Sequence, residues 1–254
     1  MAVVLKSRDE IKAMREAGRV VAEVLQMLAD AVRPGATSQQ LDQIVRREYA
    51  RRGVRSPFLH YAPGDAPPYP ATVCVSVNNE IVHGIPGGRQ FRNGDIVSID
   101  LGATVDGFVG DAALTVPCGT ISEEARRLVR VTEEALWRGI RNARAGNRVG
   151  AIGAAIQEHA EANGYTVVRE YVGHGVGRAM HEDPQVPNYG PPGKGLPLKK
   201  GMVIAIEPML NIGSSETKRM PDRWTVVTQD GSLSAHFEHT LAITEGDAEV
   251  LTLP

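Results

Sequence analysis

The chain has 254 residues with 28 basic and 30 acidic side chains, a net charge of −2, 42% apolar residues and 23% charged residues. This balance is typical of a folded globular protein and excludes a disordered or fibrous chain. The near-zero net charge creates no field that attracts nucleic acid, so no specific nucleic-acid partner is predicted. Two cysteines without CxxC spacing, no signal pattern and no apolar run of ~20 residues predict a soluble cytoplasmic protein that does not enter a membrane.

Four helices are predicted in two pairs. The first helix covers about residues 7–33, and its Ser7 and Glu10 have the spacing of a capping box, in which each side chain satisfies a free backbone donor. A second helix follows over about 38–53. The same plan recurs further along the chain, with a helix over about 122–143 and another that ends at Gly164.

Each helix pair leads to a strand of similar sequence, at 94–100 and 201–207. Both strands end on a carboxylate, Asp100 and Glu207, which places these two side chains near an axis between the halves. We therefore predict a single catalytic domain, residues 1–254, built of two related α/β halves. The boundaries of the halves are approximately 1–118 and 119–254.

A hairpin is predicted after each of these strands. In the first half, an Asp106-Gly107 turn sets Asp100 and Asp111 on neighbouring antiparallel strands, roughly opposite one another. The second half is expected to repeat this device with a strand over 224–228, an Asp230-Gly231 turn and a strand over 233–240 that carries Glu238. Loops rich in proline and glycine, at 61–70 and 189–197, are expected to rim the site.

Carboxylates at the inner ends of strands rich in Ile and Val need a partner, because burying an unpaired charge costs several kcal/mol. One such carboxylate alone fits a turn cap or an ion pair, but four at symmetric places favour a metal site. A histidine between glycines adds an imidazole that the backbone can bring close. This oxygen-rich set suits two ions of Co²⁺, Mn²⁺, Fe²⁺ or Zn²⁺ that activate water for hydrolysis. The predicted ligands are Asp100, Asp111, His174, Glu207 and Glu238.

Not every histidine is predicted to have a role at this site. The segment GHGVGR around His174 resembles a dinucleotide loop, but no helix start and no later acid accompany it, which excludes that interpretation. His83 and His181 fit surface positions by themselves; beside a metal site they are predicted to donate protons or to stabilise a transition state. The others are interpreted as structural (His60, His159 and His236) or as having no clear role (His239).

Six segments of the chain, in order, resemble the signature segments of type I methionine aminopeptidases. They are VNNEIVHGIP, GDIVSIDLG, DGFVGDAALTV, GHGVGRAMHEDP, GMVIAIEPM and SAHFEHT. The resemblance implies a duplicated pseudo-twofold pita-bread fold of the α/β (α+β) class, an antiparallel sheet core covered by helices. It also implies an enzyme that removes the initiator methionine from nascent polypeptides when the second residue is small, by attack of dimetal-activated water on the first peptide bond.

The resemblance also implies roles for individual residues. Glu207 would be a general base as well as a metal ligand, while His83 and His181 would contact the substrate. The pocket for the methionine side chain would be lined by Tyr69, Cys74, Met180 and Trp224, which without the resemblance would be interpreted as core residues. Three positions depart from the family pattern and affect the expected pocket shape: Met180 replaces Phe, Ala66 replaces an aromatic residue, and His236 replaces Gln.

Two other functions compete with this interpretation. Proline-directed aminopeptidases share the metal-site pattern but typically carry a large additional N-terminal domain, for which 254 residues leave no room. A non-catalytic module that binds RNA or protein would have lost metal ligands, whereas all five are present. The expected partners are the N-termini of nascent polypeptides, with transient ribosome contact as an open possibility, and the expected state is a monomer.

Overall fold

The computed structural model describes residues 3–254. Within this range the chain forms four helices: α1 (Arg8–Ala31), α2 (Ser38–Arg52), α3 (Glu123–Asn142) and α4 (Val149–Ala162). The four predicted helices are therefore confirmed, with ends that agree to within one turn. None of the helices in the described part of the chain is long and apolar enough to cross a membrane.

The start of α1 has the predicted capping box. The Ser7 hydroxyl accepts the Glu10 N–H at 3.3 Å, and the Glu10 carboxylate accepts the Ser7 N–H at 2.9 Å. Thr37 and Gln40 repeat this arrangement at the start of α2. Because four backbone N–H groups at a helix start have no partner within the helix, these contacts fix where each helix begins.

The strands form one large sheet and two small ones. In chain order they are β1 (Cys74–Val77), β2 (Glu80–Val82), β3 (Ile96–Val105), β4 (Phe108–Pro117), β5 (Thr166–Val167), β6 (Gly173–Gly175), β7 (Glu182–Val186), β8 (Val203–Ile206), β9 (Met209–Asn211), β10 (Thr217–Arg219), β11 (Val226–Thr228), β12 (Ser234–His236), β13 (Glu238–Ala242) and β14 (Glu249–Val250).

The large sheet has the order β1-β3-β4-β13-β8-β6-β7, with β14 paired to β13, and its pairings are antiparallel. The pair β4–β13 lies at its centre, so β3 and β8 flank that pair on opposite sides. This order places Asp100, in β3, and Glu207, directly after β8, on opposite sides of the central pair.

The helices cover one face of the sheet in two separate cores. One core joins α1 and α2 to β1, β3 and β4, and the other joins α3 and α4 mainly to β8, β9, β12 and β13. On β3 the alternate residues Val97, Ile99 and Leu101 enter the first core. Because successive side chains of a strand point to opposite faces, Asp100 points to the face that the helices leave open.

The first predicted hairpin is present. Val105 of β3 pairs with Phe108 of β4, and the two turn residues, Asp106 and Gly107, have φ values of 49° and 79°. Positive φ at both central residues is the requirement of a type I′ turn, the two-residue turn that matches the twist of paired strands.

The second predicted hairpin is wrong. Strand β11 pairs with β10 and β2, and β12 pairs with β9, so the strands on either side of the Asp230-Gly231 turn do not pair with each other. The physical reason is that the turn between β1 and β2, formed by Asn78 and Asn79, binds the backbone on both sides of the Asp230-Gly231 turn. The N–H of Thr228 donates to Asn79 O and the N–H of Ser234 donates to Asn78 O, each at 2.9 Å.

Helix α1 approaches the sheet closely at two glycines. A Cβ on Gly110 of β4 would lie 2.7 Å from the backbone nitrogen of Gly18 in α1. A side chain at Gly110 would therefore push α1 away from the strand. Asp111 follows Gly110 directly, so this contact fixes the backbone that carries a predicted metal ligand.

Candidate metal centre

The register of the large sheet brings the predicted ligands to one face. Asp100 of β3 and Glu238 of β13 are both paired with Ala113 of β4. Directly opposed residues share a face, and Asp111 lies two positions before Ala113, so these three carboxylates point to the same side.

Glu207 and His174 join that face from the other half. His239 of β13 pairs with Ile206 of the antiparallel strand β8. Glu238, one position before His239, therefore lies across from Glu207, one position after Ile206. Gly175 of β6 pairs with Ile204, which puts His174 beside β8. The structure therefore brings all five predicted ligands together from four strands and the residue after β8.

Candidate ligand atoms of Asp111, His174 and Glu238 lie within 4.8 Å of one another. The imidazole of His174 is oriented by its own strand, because Nδ1 lies 2.9 Å from Gly175 O. A carbonyl oxygen only accepts, so Nδ1 carries the proton and Nε2 has a free lone pair for a metal ion. His174 Nε2 faces Glu207 Oε1 at 3.5 Å.

Burial perturbs the protonation of every one of these side chains. Desolvation raises the pKa of Asp111 to about 7, and it raises the pKa of Asp100 well above the usual range with the help of the charges of Asp111 and Glu207. Glu207 and Glu238 have pKa values raised mainly by the same loss of solvent. Burial lowers the pKa of His174 to about 3, so its imidazole is neutral.

The residues fit divalent ions. Asp100 Oδ1, Asp111 Oδ1 and Glu238 Oε1 are buried without a hydrogen-bond partner among residues 3–254. Leaving buried carboxylate oxygens unpartnered is costly, and a cation removes that cost. Four carboxylates and one neutral imidazole are also the donor types that bind first-row divalent ions. The orphaned oxygens and the donor set therefore point to metal binding on this face.

A cavity of about 290 Å³ opens above these groups. That volume is at the lower end of ligand pockets and matches one side chain better than an extended peptide. Every predicted site residue lines it: Tyr69, Cys74, His83, Asp100, Asp111, His174, Met180, His181, Glu207, Trp224 and Glu238.

The cavity also has an apolar wall that is fixed in place. The rings of Tyr69 and Trp224 meet edge to face at 5.0 Å. The Tyr69 hydroxyl donates to Gly84 O at 2.9 Å, and the Trp224 indole N–H donates to Pro67 O at 2.9 Å. Each aromatic residue thus has its polar group satisfied and presents its ring to the cavity.

His83 and His181 lie at the edge of the metal centre. Burial lowers the pKa of His83 to about 4, and its ring contacts Trp224 at 6.1 Å. The ring of His181 lies 4.2 Å from the ring of His174, and burial lowers its pKa as well. Both imidazoles are therefore neutral donors at neutral pH.

Sequence reasoning missed three residues that line the cavity: Phe58, Tyr61 and Pro63. Tyr61 is the most informative, because its hydroxyl lies 2.8 Å from His181 Nδ1. The available signal was its place at the start of a loop that was expected to rim the site. Ala66, where an aromatic residue was expected, does not line the cavity.

The expectation for the loop at 189–197 is wrong. None of its residues lines the cavity, and it packs against α4, where Cβ atoms on Gly150 and Gly153 would lie 2.3 Å from Pro191 O and 2.5 Å from Tyr189 O. The glycines in α4 explain this position, since they leave room for the loop backbone.

His236 does not line the cavity, yet it lies directly behind the metal centre. It is 2% exposed, and its Nε2 has no hydrogen-bond partner within the described range. This nitrogen lies 4.0 Å from Glu207 Oε2. The position that departs from the family pattern therefore faces a predicted ligand.

The chain resembles known proteins along almost its whole length. The sequence model of metallopeptidase family M24 matches residues 12–245. The methionine aminopeptidase of Clostridium perfringens is 49% identical over 251 residues, which are 99% of this chain and 99% of that protein. The crystal structure of a methionine aminopeptidase from Thermotoga maritima has a TM-score of 0.96 and 45% identity, and the match covers 100% of both chains. The predicted pita-bread fold is confirmed.

The fold is also shared with a rival class. A prolidase from Pyrococcus furiosus has a TM-score of 0.78 at 23% identity, with 99% of this chain and 66% of that chain covered. Identity this low establishes the common fold alone. The much higher identity to methionine aminopeptidases does not favour the proline-directed alternative.

Proposed function

This chain belongs to the methionine aminopeptidases of metallopeptidase family M24, and we propose that the five ligands at the floor of its cavity hold two divalent ions. The enzyme removes the initiator methionine from polypeptides whose second residue is small. The observation that supports the assignment of the site is the meeting of an acidic cluster and an apolar slot in one cavity of about 290 Å³.

The apolar slot suits the side chain of methionine. Its rigid walls are the rings of Tyr69 and Trp224, and Met180 and Cys74 complete the lining. An unbranched thioether gains favourable contacts at the edges of aromatic rings. Burial raises the pKa of Cys74 well above the usual range, so the thiol stays neutral and serves as an apolar surface.

We propose Asp100, Asp111, His174, Glu207 and Glu238 as the metal ligands. When bound, the ions would supply a water of lowered pKa and polarise the carbonyl of the first peptide bond. The donor set suits Co²⁺, Mn²⁺, Fe²⁺ or Zn²⁺.

Glu207 is the proposed general base. Its Oε1 faces His174 at 3.5 Å, whereas Oε2 faces the neutral His236 at 4.0 Å. Burial raises the pKa of Glu207, which makes its carboxylate a better proton acceptor than an exposed one.

His181 is proposed to donate a hydrogen bond to the carbonyl oxygen of the substrate as negative charge develops there. Burial raises the pKa of Tyr61, so its hydroxyl keeps its proton and can donate to His181 Nδ1. The remaining proton of the imidazole then lies on Nε2, which is the donor needed at an oxyanion. His83, also neutral, is proposed to assist at the nitrogen of the scissile bond.

The proposed substrates are the N-termini of nascent polypeptides. A monomer in the cytoplasm and transient ribosome contact remain predictions from the sequence.

The test compares hydrolysis of Met-Gly-Met-Met with hydrolysis of the matched peptides Leu-Gly-Met-Met and Leu-Pro-Met-Met. Metal would first be removed from the protein with a chelator. The protein would then be assayed after addition of Mn²⁺, Fe²⁺, Co²⁺ or Zn²⁺, and the released amino acids would be measured by chromatography. We expect metal-dependent release of the first methionine of Met-Gly-Met-Met alone. Preferred cleavage before proline would support the rival peptidases, and no cleavage with any of these metals would contradict the proposal.

A further inference from the structure

The loop of residues 176–181 joins β6 to β7 and carries two side chains of the cavity. Met180 contributes to the apolar slot and His181 lies against His174. The placement of both depends on the conformation of this short loop, because no helix or strand contains them.

Glu182, the first residue of β7, stabilises the loop through hydrogen bonds to its backbone. Its Oε1 accepts the backbone N–H of Arg178 at 2.9 Å and that of Ala179 at 3.3 Å. Gly177 allows this contact, since a Cβ there would lie 2.3 Å from Glu182 Oε1. One carboxylate oxygen therefore folds the loop back on itself just before Met180 and His181.

The other oxygen of Glu182 is bound by a distant lysine. Lys6 Nζ lies 2.5 Å from Glu182 Oε2, and the lysine side chain is only 4% exposed. Lys6 is fixed in turn through its backbone, because its N–H donates to Gly201 O at 2.7 Å. Gly201 leads into β8, the strand that ends beside Glu207, so Lys6 connects the loop to the strand that carries a proposed ligand.

Burial makes this ion pair different from those on the surface. Exposed pairs contribute little, because water screens them and long side chains lose entropy. The side chain of Glu182 is 18% exposed and that of Lys6 less still, so removal of one partner leaves the other charge poorly solvated. The loop would then have to move for Glu182 to regain water.

We propose that Lys6 is a positioning residue for removal of methionine, which holds Glu182 and through it the loop that carries Met180 and His181. The inference rests on the proposed function, because the positioned side chains are those of the methionine slot and of the oxyanion donor. A catalytic donor displaced by about 1 Å can lower the rate ~100-fold. Lys6 does not line the cavity, so its loss acts through the loop that Glu182 holds.

The test compares Lys6→Met with a matched control, Lys200→Met. Lys200 Nζ forms a similarly short pair with Glu245, at 2.6 Å, but both of these side chains are exposed. For Lys6→Met we expect kcat on Met-Gly-Met-Met to fall at least ~10-fold, by the positional argument above. Metal affinity, measured by calorimetry, should stay within about twofold of wild type, and Lys200→Met should match wild type in both.

Hydrogen exchange supplies a readout that does not depend on turnover. The amides of Arg178 and Ala179 should exchange faster in Lys6→Met than in wild type, because their acceptor is no longer held. The Lys200→Met variant should show no change at these amides. Equal exchange rates and equal kcat in Lys6→Met and wild type would overturn the inference.

A second variant covers failure to fold. The double variant Lys6→Met/Glu182→Gln removes both buried charges, so no charge is left without a partner. The carboxamide oxygen of Gln at position 182 can still accept the loop amides. We expect this variant to fold and to show a lower kcat than Glu182→Gln alone; equality of the two would overturn the inference. Wild-type protein that is inactive on all methionine peptides would instead contradict the proposed function, so the two failures are distinguishable.

Discussion

Asp111→Asn should make the metal-free protein more stable at alkaline pH, although it removes a proposed metal ligand. Burial raises the pKa of Asp111 from 3.8 to about 7. A carboxyl group with a raised pKa in the folded state contributes stability that is complete below pH 3.8 and is lost as the pH rises through about 7. The asparagine side chain has nearly the same volume and does not ionise.

The size of the effect follows from these two pKa values. Between pH 5.0 and 8.5 the linkage relation gives a loss of about 2.7 kcal/mol in the unfolding free energy of wild type from Asp111 alone. Neighbouring acids act in the same direction, because the charge of Asp111 also raises the pKa of Asp100, Glu207 and Glu238. Buried histidines such as His174 titrate in both proteins and largely cancel in the difference.

Urea unfolding in the presence of a chelator, followed by circular dichroism at both pH values, measures this difference. Asp106→Asn is the matched control, since Asp106 lies in the turn of the same hairpin and asparagine is favoured at its φ of 49°. Between pH 5.0 and 8.5, the unfolding free energy of wild type should fall by roughly 2–3 kcal/mol more than that of Asp111→Asn. Parallel pH profiles for the two proteins would refute the reasoning.

Added metal should reverse the order of stability. A ligand at 1,000 times its Kd stabilises the folded state by about 4.1 kcal/mol, which exceeds that difference, and Mn²⁺ should do so for wild type but much less for Asp111→Asn. A stabilised variant that still binds two ions with full affinity would show that Asp111 is not a ligand.

Two further substitutions test the loop and the packing behind the site. Tyr61→Phe removes the partner of His181 Nδ1, so kcat on Met-Gly-Met-Met should fall about tenfold with metal affinity unchanged, as rate assays and calorimetry would measure. An unchanged kcat would remove Tyr61 from the site. Gly110→Ala should lower the unfolding free energy by about 1–3 kcal/mol in urea, because its Cβ would lie 2.7 Å from the Gly18 nitrogen. Full stability would show that α1 can move aside.

The sequence predicted the helices and the meeting of the five proposed metal ligands in one cavity, because both depend on local signals. Capping residues such as Ser7 and Thr37 mark helix starts by their own hydrogen bonds. Asp100 and Asp111 lie on two strands that a two-residue turn joins, so their distance in sequence from that turn sets their relative position. Glu207 could be predicted because its strand repeats the text of the strand that ends on Asp100.

The features that the sequence did not predict depend on contacts between distant segments. The failed hairpin around Asp230-Gly231 has a suitable turn, but Asn78 and Asn79, more than 100 residues away, bind the backbone on both sides of it. Tyr61 and His181, which are hydrogen-bonded, lie 120 positions apart in the sequence. Lys6 and Glu182, which form an ion pair, lie 176 positions apart. No local pattern marks such pairs.

The site divides its two tasks between different kinds of structure. The proposed metal ligands lie on strands or directly after one, with side chains whose direction the register of the sheet fixes. The groups that would touch methionine lie mostly in loops: Tyr61, Tyr69, His83, Met180, His181 and Trp224. Side-chain contacts help to fix these loops outside the sheet: the indole N–H of Trp224 donates to Pro67 O, and the Glu182 carboxylate accepts the amides of Arg178 and Ala179. Substitutions in the loops should therefore change KM, kcat and the choice of first residue at constant metal affinity. Substitutions on β3, β4 and β13 should change metal affinity together with activity.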